Sequence, residues 1–270
     1  MARATARPPR TAAPARPGLW AVLVWARRWL LWVLTATVLL QLFFVGRIAL
    51  MAWVNPESTA FMRSEAWRRA SDPAPDRPAN GKPAPPQRPW SQQWVDSKDI
   101  STHLKRAVIA SEDDGFASHP GVDWSAMEAA WQRNQRRAQQ AQANGKPVKV
   151  AGGSTITQQL AKNLLLSGER HLGRKAQELV LTFLLEALLD KPRILEIYLN
   201  SVEWGDGVFG AEAAAQRYFG VSARQLSAAQ AARLAVMLPA PKFFERRADS
   251  AYLNRRTATI LARMGAAVLP

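Results

Sequence analysis

The chain has 270 residues, of which 36 are Lys or Arg and 21 are Asp or Glu, so its formal net charge is +15. This length allows one globular domain and a short anchor. The charge favours anionic partners such as nucleic acid, membrane surfaces or phosphorylated ligands. The absence of cysteine excludes a disulfide framework, a cysteine nucleophile and thiolate metal sites. Three histidines argue against a zinc site as well.

The N-terminal segment predicts a basic tail followed by a transmembrane helix. Residues 1–28 contain six arginines and no acidic residue, whereas residues 29–46 carry no charge. In a helix, those eighteen residues span ~27 Å, which is close to the hydrocarbon thickness of a bilayer. Arg47 interrupts the run, but its side chain can reach the interface, and residues 48–54 are apolar again. We therefore predict a transmembrane helix over residues 29–53.

The position of the arginines predicts the orientation of this helix. Because they precede the apolar run, residues 1–28 are expected to stay in the cytoplasm and the rest of the chain to face outward, away from nucleic acid. A cleaved signal peptide is the alternative. The apolar region of a signal peptide is shorter, and no clear small-x-small cleavage motif follows here, so a retained anchor is the better interpretation.

The remaining chain divides by composition into a linker and a domain. Residues 70–90 contain seven prolines, a composition that opposes both a helix and a central strand. We therefore predict a juxtamembrane segment and stalk over residues 54–97. Beyond it, apolar residues recur at helical spacing in several long segments, while strand-like alternation is almost absent. Residues 98–270 are therefore predicted to form one mainly α domain.

The run SEDDGFASHPG, residues 111–121, brings three carboxylates together at the end of a short apolar segment. Adjacent Glu112, Asp113 and Asp114 oppose one another's ionisation, so one of them can titrate nearer neutrality, as a general base requires. Taken alone, however, the run fits an acidic, solvated helix end better. His119 fits a residue that orders the loop by hydrogen bonding better than it fits a ligand.

The run GGSTITQQLAKN, residues 152–163, predicts a capped helix with a polar face. Ser154 or Thr155 can cap the helix, and the N–H groups of its first turn offer an anion site. Polar residues then recur at helical spacing, at Thr155, Gln158, Gln159 and Lys162. A substrate-binding face and an ordinary capped surface helix both explain this pattern, and the run leaves the two readings open.

A third run places two cations and a carboxylate at the start of a helix. Arg174 lies four residues and Lys175 three residues before Glu178, so the three side chains can converge on one face. As an isolated trio they would form a surface ion pair. The following segment, ELVLTFLLEALLD, is apolar nearly all round and predicts a central buried helix. Charged residues at the start of a buried helix indicate that these side chains line a cleft rather than an open surface.

Taken in order, the runs resemble the signature motifs of a known family. EDDGFASHPG, GGSTITQQLAKN, RKAQE and KPRILEIYLN are similar to motifs of the peptidoglycan glycosyltransferases of family 51, and GDGVFGAEAAAQRYFG is similar to the segment that follows them. The resemblance extends from about residue 94 to residue 239. It implies a mainly α, lysozyme-like glycosyltransferase domain with a small membrane-apposed subdomain, carried here by a single N-terminal transmembrane helix. The main departure is a longer spacer, residues 131–151.

The resemblance also implies an activity and a place in the cell. The substrates would be lipid II and the growing lipid-linked glycan strand, polymerised at the periplasmic face of the bacterial inner membrane together with other cell-wall synthesis proteins. Glu112 would deprotonate the acceptor hydroxyl, and Glu178 would be the second essential carboxylate. No organic cofactor is implied, and the sequence leaves open whether Mg²⁺ or Mn²⁺ near Glu178 assists at the donor pyrophosphate. The implied substrate-binding residues are Ser154, Thr155, Gln158, Gln159, Lys162, Asn163, Arg174 and Lys175.

Physical chemistry supports this assignment over two alternatives. A pyrophosphate leaving group needs cations rather than an acid, and the family positions at Lys162, Arg174 and Lys175 provide them. A glycan-cleaving enzyme on a similar fold needs an acid in an apolar setting instead. In a non-catalytic, membrane-anchored scaffold, Glu112 and Glu178 would have no function. The chain contains no Ser-x-x-Lys or Lys-Thr-Gly pattern, so we expect a monofunctional polymerase without transpeptidase activity.

Overall fold

The computed structural model describes residues 18–71, 89–144, 152–166 and 172–270, and the chain separates into two units, residues 1–46 and 47–270. The first unit contains most of helix α1 (Leu19–Leu50), whose apolar side chains are largely exposed. Within the described ranges, α1 is the one helix long and apolar enough to cross a membrane. It begins before the span predicted at 29–53. Residues 1–17 of the predicted basic tail lie outside the described residues.

The second unit is mainly α, as the sequence predicts. Its helices are α2 (Ala60–Ser71), α3 (Thr102–Glu112), α4 (Trp124–Asn144), α5 (Ile156–Leu165), α6 (Leu172–Leu188), α7 (Lys191–Ser201), α8 (Ala211–Phe219), α9 (Ala228–Met237), α10 (Pro241–Glu245) and α11 (Ala251–Arg263). Short 3-10 turns lie at Ser97–Asp99, Ala223–Gln225 and Met264–Ala266.

The core forms where apolar residues recur at helical spacing. Helix α3 packs against α9 and α11, and α5 packs against α6 and α7. Leu104 and Val108 of α3 are fully buried, because they lie four residues apart on one helix face. The prediction that α6 is buried all round is wrong, however. Its Val180 and Phe183 are each 44% exposed, so only one face of this helix joins the core.

A small sheet, which the sequence did not predict, borders the helices. Its strand order is β1 (Ser91–Gln92), β3 (Val208–Phe209) and β2 (Glu203–Gly205), with β1 parallel and β2 antiparallel to β3. Strands of two or three residues are too short to show alternation in a sequence. The turn between β2 and β3 contains Gly207 at φ +76°, and a Cβ there would lie 2.5 Å from the Arg69 guanidinium. Glycine therefore permits both the turn and the close approach of α2.

The interval predicted as a stalk, residues 54–97, is partly folded onto the domain. Within it, α2 is capped by Thr59, whose Oγ1 accepts a hydrogen bond from Met62 N at 3.0 Å, and it packs against α5. Towards the other end of the interval, the Trp90 ring lies 4.6 Å from that of Phe209. Residues 72–88, which contain most of the prolines, lie outside the described residues.

Candidate active site

One cleft of the domain gathers most of the residues that the sequence analysis singled out. It is bounded by α2, α5, α6, β2 and the segment between α9 and α10. The sequence-predicted residues that line it are Ser154, Gln158, Gln159, Lys162, Asn163, Arg174, Lys175 and Glu178. A second pocket contains Glu112 and Thr155, and Ser154 lines both pockets. The two pockets therefore adjoin at the start of α5.

Glu112 is the last residue of α3 and is held by a short hydrogen-bond relay. Gln159 Nε2 donates to Glu112 Oε2 at 2.9 Å, and the hydroxyl of Tyr198 donates to Gln159 Oε1 at 3.0 Å. Burial raises the pKa of Tyr198 well above its usual value, so its hydroxyl keeps its proton. Side chains from α3, α5 and α7 thus fix the position of one carboxylate, which a general base needs.

The pKa of Glu112 is raised above its usual range, chiefly by burial. The hydrogen bond from Gln159 and the charge of Arg256 lower the pKa, and the charge of Asp113 raises it. The sequence predicts such a shift from the neighbouring carboxylates. Asp113 does contribute, but loss of solvation is the larger cause. A raised pKa brings the carboxylate closer to the value at which a base is most effective near neutral pH.

The carboxylate of Asp113 links the start of α5 to the loop that contains His119. Its buried carboxylate accepts a hydrogen bond from Ile156 N at 2.9 Å and lies 2.8 Å from His119 Nε2. Thr155 and Gln158 form a capping box with each other at the same helix end. The sequence leaves open whether the first turn of α5 offers an anion site. In the structure, its Ile156 N–H donates to Asp113 and its Gln158 N–H donates to Thr155 Oγ1 at 3.2 Å. The loop-ordering role predicted for His119 is confirmed.

The trio at the start of α6 converges as its spacing predicts. Arg174 Nη1 lies 3.0 Å from Glu178 Oε2, and the Lys175 ammonium contacts Glu178 Oε1. Glu178 is only 3% exposed, which separates this cluster from a solvated surface pair. The buried carboxylate holds two cations at the wall of the cleft, beside the exposed Lys162. This arrangement can bind an anion such as pyrophosphate.

The structure adds a carboxylate to the cleft that the sequence analysis missed. Glu203 on β2 lines the cleft and is buried, and its Oε1 lies 3.1 Å from the Lys242 ammonium. Burial raises the pKa of Glu203 to about 7, although Lys242 opposes the shift. The sequence gives no signal for it, because Glu203 belongs to a three-residue strand and its partner follows 39 residues later.

A group of residues that could hold a metal lies elsewhere than the sequence analysis suggested. Carboxylate oxygens of Glu65, Glu203 and Asp206 lie within 4.8 Å of one another. The Lys242 ammonium already lies 2.6, 3.1 and 3.7 Å from these oxygens, and Arg69 Nη2 lies 2.9 Å from Asp206 Oδ1, so side-chain cations occupy this group. At Glu178, where the sequence leaves a divalent ion open, each carboxylate oxygen contacts a side-chain cation.

Comparison with known proteins identifies the family. A sequence model of the family described as transglycosylase matches residues 82–265. The chain belongs to this family. It is 52% identical over 248 residues to the biosynthetic peptidoglycan transglycosylase of Herminiimonas arsenicoxydans, an alignment that covers 90% of this chain and 98% of that protein. It is 50% identical over 261 residues to the protein of the same name from Burkholderia orbicola (strain MC0-3), covering 97% and 95% respectively.

A third relative, from Paraburkholderia phytofirmans, carries the same name and is 49% identical over 257 residues, covering 94% of this chain and 96% of that protein. The transglycosylase domain is lysozyme-like, so membership confirms the predicted fold class. The family match begins at residue 82, within the interval that the sequence analysis assigned to a stalk. This start agrees with the packing of Trp90 on Phe209 in the domain.

Proposed function

We propose that this transglycosylase polymerises lipid II into the glycan strands of the bacterial cell wall. One observation carries the proposal: Gln159 lines the cationic cleft and also binds the carboxylate of Glu112 in the adjoining pocket. A base and an anion-binding cluster therefore lie on either side of one side chain. The names of the relatives support the same reaction.

The two pockets fit the two substrates of a single displacement. The acceptor hydroxyl is a poor nucleophile, so it loses its proton to Glu112 as its oxygen attacks the anomeric carbon of the donor. The bond from that carbon to pyrophosphate breaks, and the leaving group keeps the electron pair. Lys162, Arg174 and Lys175 stabilise the growing negative charge. A base opposite a cationic leaving-group site gives inversion, so an α-linked donor yields a β-linked strand.

The side chains of the cleft account for the neutralisation of the leaving group. Mg²⁺ or Mn²⁺ at the donor pyrophosphate would take oxygen ligands from the phosphates and from Glu178. Both Glu178 oxygens already contact Arg174 and Lys175, so a metal would have to displace one of these cations. The residues present do not fit a metal at Glu178, and we assign this role to the three cations.

Incubation of the purified full-length protein with labelled lipid II tests the proposal. We expect glycan polymer and released polyprenyl pyrophosphate, because the cleft provides cations for that leaving group. Preformed strands should keep their length. Shortened strands would instead indicate the glycan-cleaving alternative, and unchanged lipid II together with unchanged strands would indicate a binding scaffold. Either of these results contradicts the proposed polymerase.

The proposed site of action requires that α1 is retained and that the chain leaves the cytoplasm after it. A reporter that is active only outside the cytoplasm should be active when fused after residue 60, because the arginines precede the apolar run. External protease should cleave within residues 70–97. A mature product that is soluble and begins beyond residue 45 would instead show that the segment is a cleaved signal peptide.

A further inference from the structure

Helix α2 supplies part of the cleft wall. Phe61, in the first turn of α2, lines the same cleft as Lys162 and Arg174 and packs edge-on against Phe209, with ring centroids 6.2 Å apart. Only residues 51–59 separate α2 from the end of the apolar helix α1. This part of the wall therefore lies closest along the chain to the predicted membrane span.

The cleft is apolar as well as cationic. Beside the cations, its lining includes the apolar residues Phe61, Leu166, Val202, Leu238, Pro239 and Pro241. A site that binds only pyrophosphate does not require such a surface. A ligand whose pyrophosphate is esterified to a hydrocarbon chain uses both surfaces, since apolar area removed from water adds to the ionic contacts.

A cluster of charges holds α2 against this wall. The Lys242 ammonium on α10 lies 2.6 Å from Glu65 Oε1 on α2 and 3.1 Å from Glu203 Oε1 on β2. A second link runs from Arg69 Nη2 on α2 to Asp206 Oδ1 at 2.9 Å. Glu65 and Glu203 are both buried, so removal of Lys242 would leave two carboxylates there without this cation.

The links of Lys242 join the elements that form the apolar wall. Phe61 lies four residues before Glu65, on the same side of α2, and Pro241 directly precedes Lys242. Burial alone would raise the pKa of Glu65, but hydrogen bonds from Arg68 and Lys242 lower it to about 2. Glu65 therefore stays ionised at neutral pH, and its ion pair with Lys242 is retained there.

We propose that α2 is part of the donor site: Phe61 contacts the isoprene units next to the donor pyrophosphate, and Lys242, bound to Glu65 and Glu203, positions α2 for this contact. The proposal rests on the proposed function, because it assigns the hydrocarbon part of the same donor. Phe61 is then a binding residue, and Lys242 is a positioning residue that acts through α2.

Binding of two simple probes tests the role of Phe61 without any polymerisation. The full-length protein is titrated with farnesyl pyrophosphate and with inorganic pyrophosphate. We expect the parent to prefer the prenyl probe and Phe61→Ala to lose about tenfold of that preference, the discrimination typical of a hydrophobic contact. Binding of inorganic pyrophosphate should not change. Trp67→Ala is the matched control, because Trp67 is on the same helix, 75% exposed and absent from the cleft lining.

The outcomes separate this inference from the proposed function. A parent that shows no preference for the prenyl probe, or a Phe61→Ala protein that keeps the parental preference or loses affinity for both probes equally, overturns the role of Phe61. Failure of the parent to polymerise lipid II contradicts the proposed function alone, because probe binding is measured independently. The two results therefore do not depend on each other.

The role of Lys242 is tested with the same probes. Lys242→Met should reduce the prenyl preference as Phe61→Ala does, and Lys242→Arg should restore it, because an arginine can still bridge the two carboxylates. Lys98→Met controls for loss of one positive charge, since Lys98 has a side chain 78% exposed. If Lys242→Met does not fold, Glu203→Gln replaces one ion pair of Lys242 with a weaker hydrogen bond to a neutral amide and should show a smaller loss of the prenyl preference. A folded Lys242→Met or Glu203→Gln protein with the parental preference contradicts the positioning role.

Discussion

Replacing Glu112 by glutamine is expected to lower the polymerisation rate by ~10² or more, the usual contribution of a general base. Glutamine keeps the shape of the side chain, and its amide oxygen can still accept the hydrogen bond that Gln159 donates at 2.9 Å. It cannot take a proton from the acceptor hydroxyl. The measurement is the initial rate of polymer formation from labelled lipid II, together with the thermal unfolding midpoint.

The matched control for this variant is Glu128→Gln. Glu128 lies on α4 and is exposed, so the same chemical change at this position should leave the rate unchanged. The unfolding midpoint of Glu112→Gln should equal that of the parent or exceed it, because a buried carboxylate is replaced by a neutral amide. A rate within a few-fold of the parent would show that Glu112 is not the base.

Replacing Lys162 by methionine should lower the single-turnover rate at saturating lipid II by about 10²–10³, the range seen when one transition-state stabilising donor is lost. The reason is that negative charge on pyrophosphate is greatest as the donor bond breaks, so the lost interaction is strongest there. Arg174→Lys should also lower the rate, because a single ammonium cannot replace a planar guanidinium on Glu178 and phosphate together.

Lys98→Met serves again as the control for charge, and it should turn over at the parental rate. Saturating substrate separates turnover from binding, because a residue that only binds the donor would raise KM and leave this rate unchanged. If Lys162→Met and Arg174→Lys both react at the parental rate, the cationic residues have no part in the chemical step, and the leaving group must be stabilised in another way.

The parts of the site that the sequence predicted are those that local geometry determines. Arg174, Lys175 and Glu178 had to share one face because the helical period fixes the directions of side chains three and four residues apart. For the same reason Gln159 and Lys162 lie together on the wall of one cleft. The recurrence of apolar residues at helical spacing over residues 98–270 likewise predicted the class of fold without any long-range information.

The parts that the sequence did not predict depend on contacts between distant segments. The hydrogen bond from Ile156 N to Asp113 crosses 43 residues, and the ion pair from Lys242 to Glu65 crosses 177. No periodicity encodes such pairs. Helix α2 was missed because the neighbouring prolines dominate the composition of its segment, whereas its burial depends on α5 and on the turn at Gly207.

In the hydrogen-bond relay from Tyr198 through Gln159 to Glu112, the orientation of the Gln159 amide group decides which of its two ends faces the base. A glutamine side chain has two nearly identical ends, and rotation by half a turn would point its oxygen at the carboxylate of Glu112. The Tyr198 hydroxyl, held protonated by burial, donates to that oxygen and so turns the amino group towards the base. A residue that lines neither pocket thereby decides whether Glu112 meets a donor or a repelling acceptor.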